Sequence, residues 1–281
     1  MVATANYSYQ SLGDNEIRLL KILSTSDLQF EITHHNLDQS LDYAALSYTW
    51  GEPVFRQVIN LYDYALPVTD NLHDALQSLK VRQMQKKDAR TRSKYIWVDQ
   101  ICINQDDIKE KNSQIPLMKR IYEQASKVIV WLGNPENPAQ IALGVQMMDE
   151  IYKKSWHKVL MSIPSLFLKA FLQRSETMSN EFAFTILSGI SIEDSTIFDI
   201  EGSPAHEAWL GICALFRSPW WTRTWVYQEA TIPETRLKLS SKDTEVTFLC
   251  GLSSTTWARL RFALSVGIHL QTSRPLQTDF M

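Results

Sequence analysis

A short apolar segment that ends abruptly in polar residues most constrains the fold of this chain. Residues 95–107 read YIWVDQICINQDD, so four apolar or aromatic residues lead into a segment rich in acids, amides and a thiol. An apolar run of this length is typical of a buried strand. Open α/β folds place their ligand crevices where such strands end. The segment therefore predicts a buried strand with a polar site at its carboxyl end.

The residues that follow complete a strand–helix–strand unit. Apolar residues recur at helical spacing from 115 to 125, and KVIVWL at 127–132 predicts a second buried strand. Pro116 fits this helix only in its first turn, so we expect the helix to begin near Asn112 or Ser113. The length suits a crossover between parallel strands. We therefore expect an α/β fold with a mainly parallel sheet flanked by helices.

The rest of the chain adds an N-terminal β-hairpin and a largely helical insertion at about 134–203. Strands are predicted at residues 16–23, 28–33, 43–50, 58–61, 237–239 and 246–250. Helices are predicted from residue 70, from 138 to 153, from 156 to 173, from 203, from 222 to 230 and from 255 to 264. We expect residues 1–281 to form a single domain that ends in a polar tail at about 270–281.

The composition argues against several classes of protein. The 281 residues are 44% hydrophobic and 21% charged, as in soluble globular proteins, and a net charge of -3 gives no basic field for nucleic acid. Three widely spaced cysteines indicate a reducing compartment, and the lack of CxxC or HxxxH pairs argues against a metal site. No signal peptide or long apolar run is present. We therefore expect a cytoplasmic protein with no membrane span.

Three polar clusters are candidates for one common site. They are SYTWGE at 47–52, the segment 99–107, and SPWWTRTWVYQE at 218–229. The first two follow predicted parallel strands and the third begins a predicted helix, so all three are expected at the same edge of the sheet. The candidate site residues are Ser47, Tyr48, Trp50, Gly51, Glu52, Asp99, Cys102, Asn104, Gln105, Trp221, Arg223, Trp225, Gln228 and Glu229.

The first two clusters also have structural interpretations. The segment 50–52 is equally well explained as a turn with a packed indole. Asp99 is equally suited to cap a helix or to pair with Arg92 or Lys94. Cys102 has no histidine nearby in sequence, so it is more typical of a small buried hydrophobe than of a nucleophile in a hydrolase.

The third cluster has structural interpretations of its own. Its tryptophans are more typical of a core or a pocket wall than of catalytic groups. Arg223 suits stacking on an indole as well as binding a phosphate. Glu229 suits a structural ion pair as well as a catalytic role.

Taken together, the three clusters resemble those of a fungal family. YAALSYTWGEP at 43–53, the segment 96–133 and LFRSPWWTRTWVYQEA at 215–230 resemble, in order, the three blocks of the heterokaryon-incompatibility (HET) domain. The resemblance covers about residues 16–260, with departures at Pro116 and Tyr227. It implies a cytosolic protein that triggers cell death when genetically different hyphae fuse, acting as a homo-oligomer or with a regulatory protein partner.

The same blocks are more distantly similar to Toll/interleukin-receptor (TIR) domains, which have a flavodoxin-like parallel sheet and of which many cleave NAD. SYTWGE resembles their first strand-end box, and Asp99 resembles the aspartate that ends their second strand. Glu229 follows Trp225 by four residues, which is the spacing of their catalytic box. The resemblance implies that Glu229 is the catalytic carboxylate. NAD would be a substrate and not a retained cofactor, since no glycine-rich dinucleotide motif is present.

Cleavage of the nicotinamide–ribose bond passes through an oxocarbenium-like state. The resemblance implies that Glu229 orients the ribose hydroxyls and stabilises this positive charge. Trp50, Trp221 and Trp225 would stack on the rings, and Arg223 would hold the pyrophosphate.

This mechanism requires the Glu229 carboxylate to open onto a mouth shared with Asp99. A Glu229 side chain sealed in the interior would contradict it. The alternative is a non-enzymatic signalling module that kills by self-association or by recruiting a partner.

Overall fold

The computed structural model divides the chain into two compact units. The residues that it describes are 7–24, 28–62, 64–84, 93–162, 201–224, 229, 245–260 and 263. The first unit comprises residues 1–135 and 217–254, and the second comprises residues 136–216 and 255–281. The single domain expected over residues 1–281 stays a prediction.

The first unit is built on one sheet. Its strands are β1 (Glu16–Ser24), β2 (Gln29–Asn36), β3 (Ala44–Tyr48), β4 (Gln57–Leu61), β5 (Tyr64–Val68), β6 (Tyr95–Trp97), β7 (Lys127–Trp131), β8 (Glu245–Cys250) and β9 (Ser253–Thr256). Their order across the sheet is β5-β4-β2-β1-β6-β3-β7-β8-β9. The boundary between the two units falls within β9.

The sheet is mixed, and the mainly parallel sheet expected from the sequence is not confirmed. Strand β3 lies parallel to β6 and β7, and β8 lies parallel to β7, so the predicted crossover core is present. The predicted N-terminal hairpin is also present, because β1 and β2 pair antiparallel. However, β1 also pairs antiparallel with β6, which makes the hairpin part of the central sheet. Beyond it, β4 lies parallel to β2 and antiparallel to β5.

Short helices connect the strands of the first unit. They are α1 (Asp70–Met84), α2 (Asp99–Cys102), α3 (Ile108–Gln114) and α4 (Met118–Gln124), with 3-10 turns at Ile115–Leu117 and Pro219–Thr222. The Asp107 side chain caps α3 by accepting from the amides of Lys109 and Glu110. Pro116 lies in the turn between α3 and α4. The one helix expected near Asn112 is therefore two helices, because proline lacks the amide that would continue the first.

Strand β3 forms the centre of the core. All five of its residues are buried, as expected for a strand with neighbours on both sides and cover on both faces. The indoles of Trp97, Trp131 and Trp220 are also fully buried. A polar side chain on β3, such as that of Ser47, therefore has to find its hydrogen-bond partners inside the protein.

The second unit contains a closely packed pair of helices, α5 (Pro138–Ser162) and α6 (Pro204–Phe216). A Cβ atom built on Gly211 would lie 2.0 Å from the carbonyl oxygen of Gln140. Only glycine permits the two backbones to approach this closely. The helix predicted from 138 is thus confirmed and extends beyond 153.

The start of α6 agrees with the sequence prediction. The Ser203 hydroxyl accepts a hydrogen bond of 3.1 Å from the His206 amide, and Pro204 occupies the first helical position. Residues 257–260 are helical, as predicted. The predictions for 163–173, 225–228, 237–239 and 270–281 lie outside the described residues. Among the helices of the described segments, none is long and apolar enough to cross a membrane.

Candidate functional site

Four side chains form a connected polar cluster at the carboxyl end of β3. The Ser47 hydroxyl donates to the Glu229 carboxylate and accepts a 2.7 Å hydrogen bond from the Trp220 indole. The Arg223 guanidinium donates to both Glu229 oxygens, at 2.8 Å to Oε2 and 2.9 Å to Oε1. These residues, here called the Glu229 cluster, come from the first and third sequence blocks. The predicted convergence of those two blocks is therefore confirmed.

A short turn positions the third block over the ends of the central strands. The Ser218 hydroxyl accepts from the Trp220 amide at 3.3 Å and donates to the Leu132 carbonyl at 2.7 Å, just beyond β7. The Trp220 ring meets Phe248 of β8 edge to face, with 5.7 Å between ring centroids. These contacts direct the indole nitrogen of Trp220 towards Ser47. Trp220 was not among the predicted site residues, although its place beside them in sequence made it a candidate.

The Glu229 carboxylate is sealed inside the protein. Its side chain is 1% exposed, whereas that of Arg223 is 19% exposed. Both carboxylate oxygens are occupied by donors from Arg223 and Ser47. In this conformation Glu229 cannot contact a substrate, so the open mouth expected at this residue is not observed. The guanidinium expected to hold a pyrophosphate instead pairs with the carboxylate.

Asp99 supplies a second carboxyl group to the same electrostatic environment. It follows β6, and it accepts hydrogen bonds from the Trp50 indole at 2.8 Å and from the Gln100 amide at 2.7 Å. Burial of the carboxyl group raises the pKa of Asp99 to about 6. The two hydrogen bonds oppose this rise, the negative charge of Glu229 adds to it, and Arg223 lowers it. The second sequence block therefore interacts with the Glu229 cluster electrostatically, through Asp99.

Two buried tyrosines lie within electrostatic range of these carboxyl groups. Burial and then the charge of Asp99 raise the pKa of Tyr48 well above its usual value. The Tyr48 hydroxyl is buried and has no hydrogen bond of standard geometry to any described residue. The Tyr122 hydroxyl donates to the Leu46 carbonyl at 3.2 Å, and burial followed by the charges of Glu229 and Asp99 raises its pKa. Tyr122, on α4, was not predicted as a site residue.

The remaining residues of the second block shape its loop. The Gln105 amide donates to the Asp99 carbonyl at 2.9 Å, and the Asn104 side chain accepts from the Asp106 amide at 3.2 Å. Cys102 is buried, and burial raises the pKa of its thiol to about 12. A thiol that stays neutral is a poor nucleophile, so the geometry supports the structural interpretation of Cys102.

The other candidate residues lie at the margin of the site. Gly51 and Glu52 are exposed in the turn after β3, where Gly51 has a φ of 73°. Trp221 stacks on Phe248, with 5.7 Å between ring centroids. Trp225 and Gln228 lie outside the described residues. Within the described segments, no group of three or more histidine, cysteine, aspartate or glutamate side chains could hold a metal ion.

A fully buried arginine, which sequence reasoning missed, anchors the second block. Arg18 on β1 is 0% exposed and binds Glu110 through two hydrogen bonds, at 2.6 and 2.9 Å. It also donates to the Cys102 carbonyl at 3.1 Å. Burial opposes ionisation of Glu110, but hydrogen bonds from Arg18 and from the Asn104 amide outweigh it and lower its pKa. The sequence feature that could have indicated a buried arginine is its position inside the apolar run IRLL.

A second unpredicted residue holds the turn that carries Trp50. The Asn71 side chain donates to the Thr49 carbonyl at 2.5 Å and accepts from the Trp131 indole at 2.8 Å. The first turn of α1 is thereby tied to the ends of β3 and β7. The Trp50 indole is thus directed to Asp99 by a fixed backbone.

The fold and the site define a class: an α/β protein with a buried serine–arginine–glutamate cluster at the ends of parallel strands. The family model for heterokaryon incompatibility protein (HET) matches residues 43–229, and the chain belongs to this family. The matched segment begins before Ser47, includes Asp99 and ends at Glu229. The resemblance of the three blocks to the HET domain is therefore confirmed.

One curated relative extends this assignment. Heterokaryon incompatibility protein 6, OR allele, of Neurospora crassa is 26% identical over 245 residues. The match covers 79% of this chain and 33% of the relative, so this chain spans about a third of that protein's length. No solved structure matches significantly. The similarity to TIR domains stays a prediction.

Proposed function

We propose that this chain is the effector domain of a fungal heterokaryon-incompatibility protein and that it triggers cell death by hydrolysing NAD at the nicotinamide–ribose bond. The observation that carries this proposal is the meeting of Ser47, Arg223 and Glu229 at the end of β3. Asp99 lies within electrostatic range of the same carboxylate. Ser47, which lies 182 positions before Glu229 in the sequence, thus meets Arg223 at the acid that the TIR resemblance names as catalytic.

The chemistry needs a carboxylate that faces a developing positive charge. Nicotinamide leaves with the electron pair of the broken bond, and the ribose carbon becomes oxocarbenium-like. Glu229 stabilises this cation and orients the ribose hydroxyls. In the structure the guanidinium of Arg223 takes the place of that cation against Glu229. Because Glu229 is sealed in this conformation, which does not fit the mechanism as it stands, the proposal requires Arg223 to leave the carboxylate before a substrate binds.

The exposure of the two partners indicates which of them moves. Arg223 is 19% exposed and Glu229 is 1% exposed, so the arginine has access to solvent and the glutamate does not. The pyrophosphate of NAD is a strong bidentate partner for a guanidinium. Transfer of Arg223 from the carboxylate to the pyrophosphate would free Glu229 at the moment of binding. The role expected for Arg223 from the sequence is then its role in the active state.

The test is nicotinamide release from NAD by purified, concentrated protein. We compare the wild type with Glu229→Gln, which keeps the shape of the side chain, and with Asp38→Asn, an exposed control on the first unit. We expect turnover by the wild type and the control, and a loss of at least about 100-fold in Glu229→Gln. Turnover that survives in a folded Glu229→Gln protein would refute the proposed role of this residue.

The sealed carboxylate also favours a second function, a non-enzymatic module that kills by self-association. Both Glu229 oxygens already have partners, which is the arrangement of a structural ion pair. Under this function, forced oligomerisation in fungal cells is toxic, no nicotinamide is released, and a stably folded Glu229→Gln variant remains toxic. Toxicity that depends on Glu229 and is accompanied by NAD loss supports the enzyme instead.

A further inference from the structure

We propose that Asp99 is the second catalytic residue of the site and accepts the proton of the water that attacks the ribose. This inference rests on the NAD hydrolysis proposed above. It assigns different roles to the two carboxyl groups: Glu229 faces the developing positive charge, and Asp99 is the proton acceptor. The sequence suggested only that Asp99 contacts the substrate.

The first argument is the difference between the donors that the two carboxyl groups receive. Glu229 is bound on both oxygens by a cation, Arg223, at 2.8 and 2.9 Å. Among the described residues, the donors to the Asp99 side chain are neutral, the Trp50 indole at 2.8 Å and the Gln100 amide at 2.7 Å. No cation donates a hydrogen bond to Asp99 among the described residues, so its carboxyl group remains able to exchange a proton. Two carboxyl groups with such different surroundings are typical of paired roles in catalysis.

The second argument is access. Asp99 as a whole residue is partly exposed, although its carboxyl group is buried, and Glu229 is sealed. Next to Asp99 lies the buried Tyr48 hydroxyl, which reaches that carboxyl group closely enough for the contact to raise the tyrosine pKa and has no further hydrogen-bond partner among the described residues. A buried polar atom of this kind is satisfied by a water molecule or by a ligand hydroxyl. A water molecule bound beside Tyr48 and Asp99 would be in position to give up its proton to the carboxylate.

The third argument is that the tyrosines and the thiol near Asp99 stay neutral near pH 7. The titratable or charged residues that face Asp99 are Tyr48, Cys102, Tyr122, Arg223 and Glu229. Burial raises the pKa of both tyrosines and of the thiol, so these groups stay neutral. Asp99, with a pKa raised to about 6 by burial, is ionised at pH 7 and accepts a proton readily.

The proposed step balances as follows. The bond between the ribose carbon and the pyridinium nitrogen breaks, and its electron pair neutralises the ring nitrogen. The water oxygen forms a bond to the same carbon and releases one proton to the Asp99 carboxylate. Asp99 then passes the proton to solvent. The products are nicotinamide, ADP-ribose and one proton.

The test separates hydrolysis from base exchange. In base exchange a neutral pyridine, such as 3-acetylpyridine, replaces nicotinamide, and its attacking nitrogen carries no proton that has to be removed. Asp99→Asn keeps an oxygen that can accept from Trp50. We expect hydrolysis by this variant to fall about 100-fold, while base exchange stays within about threefold of the wild type. The acid limb of the wild-type hydrolysis profile near pH 6 should disappear.

Asp106→Asn, an exposed change in the same loop, is the matched control and should leave both reactions unchanged. Equal loss of hydrolysis and base exchange in Asp99→Asn would show a structural role and overturn the inference. Wild-type hydrolysis with an unchanged acid limb in that variant would also overturn it, and both results leave the proposed NAD hydrolysis standing. No nicotinamide release by the wild type in either reaction would refute the proposed function itself.

Discussion

Arg223 and Glu229 form a two-point ion pair whose members differ sharply in their access to water. The guanidinium contacts the carboxylate at 2.8 and 2.9 Å, and the side chains are 19% and 1% exposed, respectively. A charge that can reach solvent tolerates the loss of its partner better than a charge that cannot. The two partners should therefore differ in how much their removal destabilises the protein.

We predict that Arg223→Gln destabilises the protein more than Glu229→Gln. The arginine substitution leaves a sealed carboxylate without its cation, which costs about 3–5 kcal/mol in free energy of unfolding. The glutamate substitution leaves a guanidinium that can turn to water, and its loss should be about 1–2 kcal/mol. Urea unfolding followed by tryptophan fluorescence measures both values. Equal losses would contradict the asymmetry.

Ser47→Ala should destabilise the protein by about 1–3 kcal/mol, because the buried Trp220 indole loses its acceptor. The matched control is Ser113→Ala, whose hydroxyl donates to the Glu110 carbonyl at the surface. We expect almost no change in the control. A Ser47→Ala protein as stable as the wild type would mean that the indole has another acceptor.

The buried Arg18–Glu110 pair should contribute far more to the free energy of unfolding than an exposed pair of the same kind. Glu110→Gln leaves a fully buried guanidinium without its carboxylate, so we expect a loss of about 3–5 kcal/mol at pH 7. The control is Asp38→Asn, which breaks an exposed pair with Arg120 and should have a much smaller effect. Similar losses in the two variants would contradict this ranking.

The Glu110 contribution should also depend on pH. The pKa of Glu110 is lowered in the folded protein, so its contribution is complete above the pKa of the unfolded chain. It is lost as the pH falls through the lowered value. The stability difference between wild type and Glu110→Gln should therefore shrink on acidification, as denaturant unfolding at pH 7 and pH 3 would show.

The contribution of Asp99 to stability should depend on pH in the opposite direction to that of Glu110. Its pKa is raised to about 6 in the folded protein, whereas an unfolded aspartate has a pKa of about 3.9. The folded state holds a proton that the unfolded state releases between these values, so the Asp99 term lowers stability as the pH rises from 4 to 6. Asp99→Asn removes this term. Relative to wild type, the variant should gain about 1–3 kcal/mol between pH 4 and pH 7.5.

Unfolding of both proteins across this range is the measurement. A difference between Asp99→Asn and wild type that does not change with pH would contradict the prediction. The experiment needs no NAD, so it tests the environment of Asp99 whatever the activity of the protein.

In the second unit, Gly211→Ala should separate α5 from α6. The new Cβ would lie 2.0 Å from the Gln140 carbonyl oxygen, and two rigid backbones cannot yield without moving the helices. We expect a loss of about 1–3 kcal/mol or more. The control is Gly13→Ala, which meets only the flexible end of Glu16 at 3.5 Å and should be almost neutral. Denaturant unfolding of the two variants compares them directly.

Local sequence pattern predicted most of the elements but not their pairing. Apolar periodicity located the hairpin, the crossover strands and the helices at residues 70 and 204. Strand β5 was missed because Pro67 interrupts a short, partly exposed run at the sheet edge. The mixed sheet was missed because the pairing of Leu20 with Ile96 joins residues far apart in sequence, and neither residue encodes its partner.

The sequence predicted where the candidate site lies, but not that Glu229 would be buried against Arg223. Strands that run in parallel bring their ends to one edge, which is sufficient to place Ser47 near the third block. Whether Glu229 faces solvent or a cation depends on which charged side chain reaches it in three dimensions. Arg223 lies only six residues from Glu229. The sequence nevertheless suited Arg223 to stacking on an indole or binding a phosphate as well as to pairing with a carboxylate. Arg18 was missed because one charge in an apolar strand gives no indication of its distant acceptor.

The contacts that Arg18 makes with distant residues have a practical consequence for expressing truncated forms of the protein. Its guanidinium holds Glu110 and the Cys102 carbonyl from a strand that precedes residue 43, where the family match begins. Strand β8, which flanks β7, lies beyond residue 229, where that match ends. A fragment cut to the family boundaries would thus lose an internal brace and a neighbouring strand. Fragments intended to fold should start before Gln10, whose carbonyl also accepts from Arg18, and should extend past Cys250.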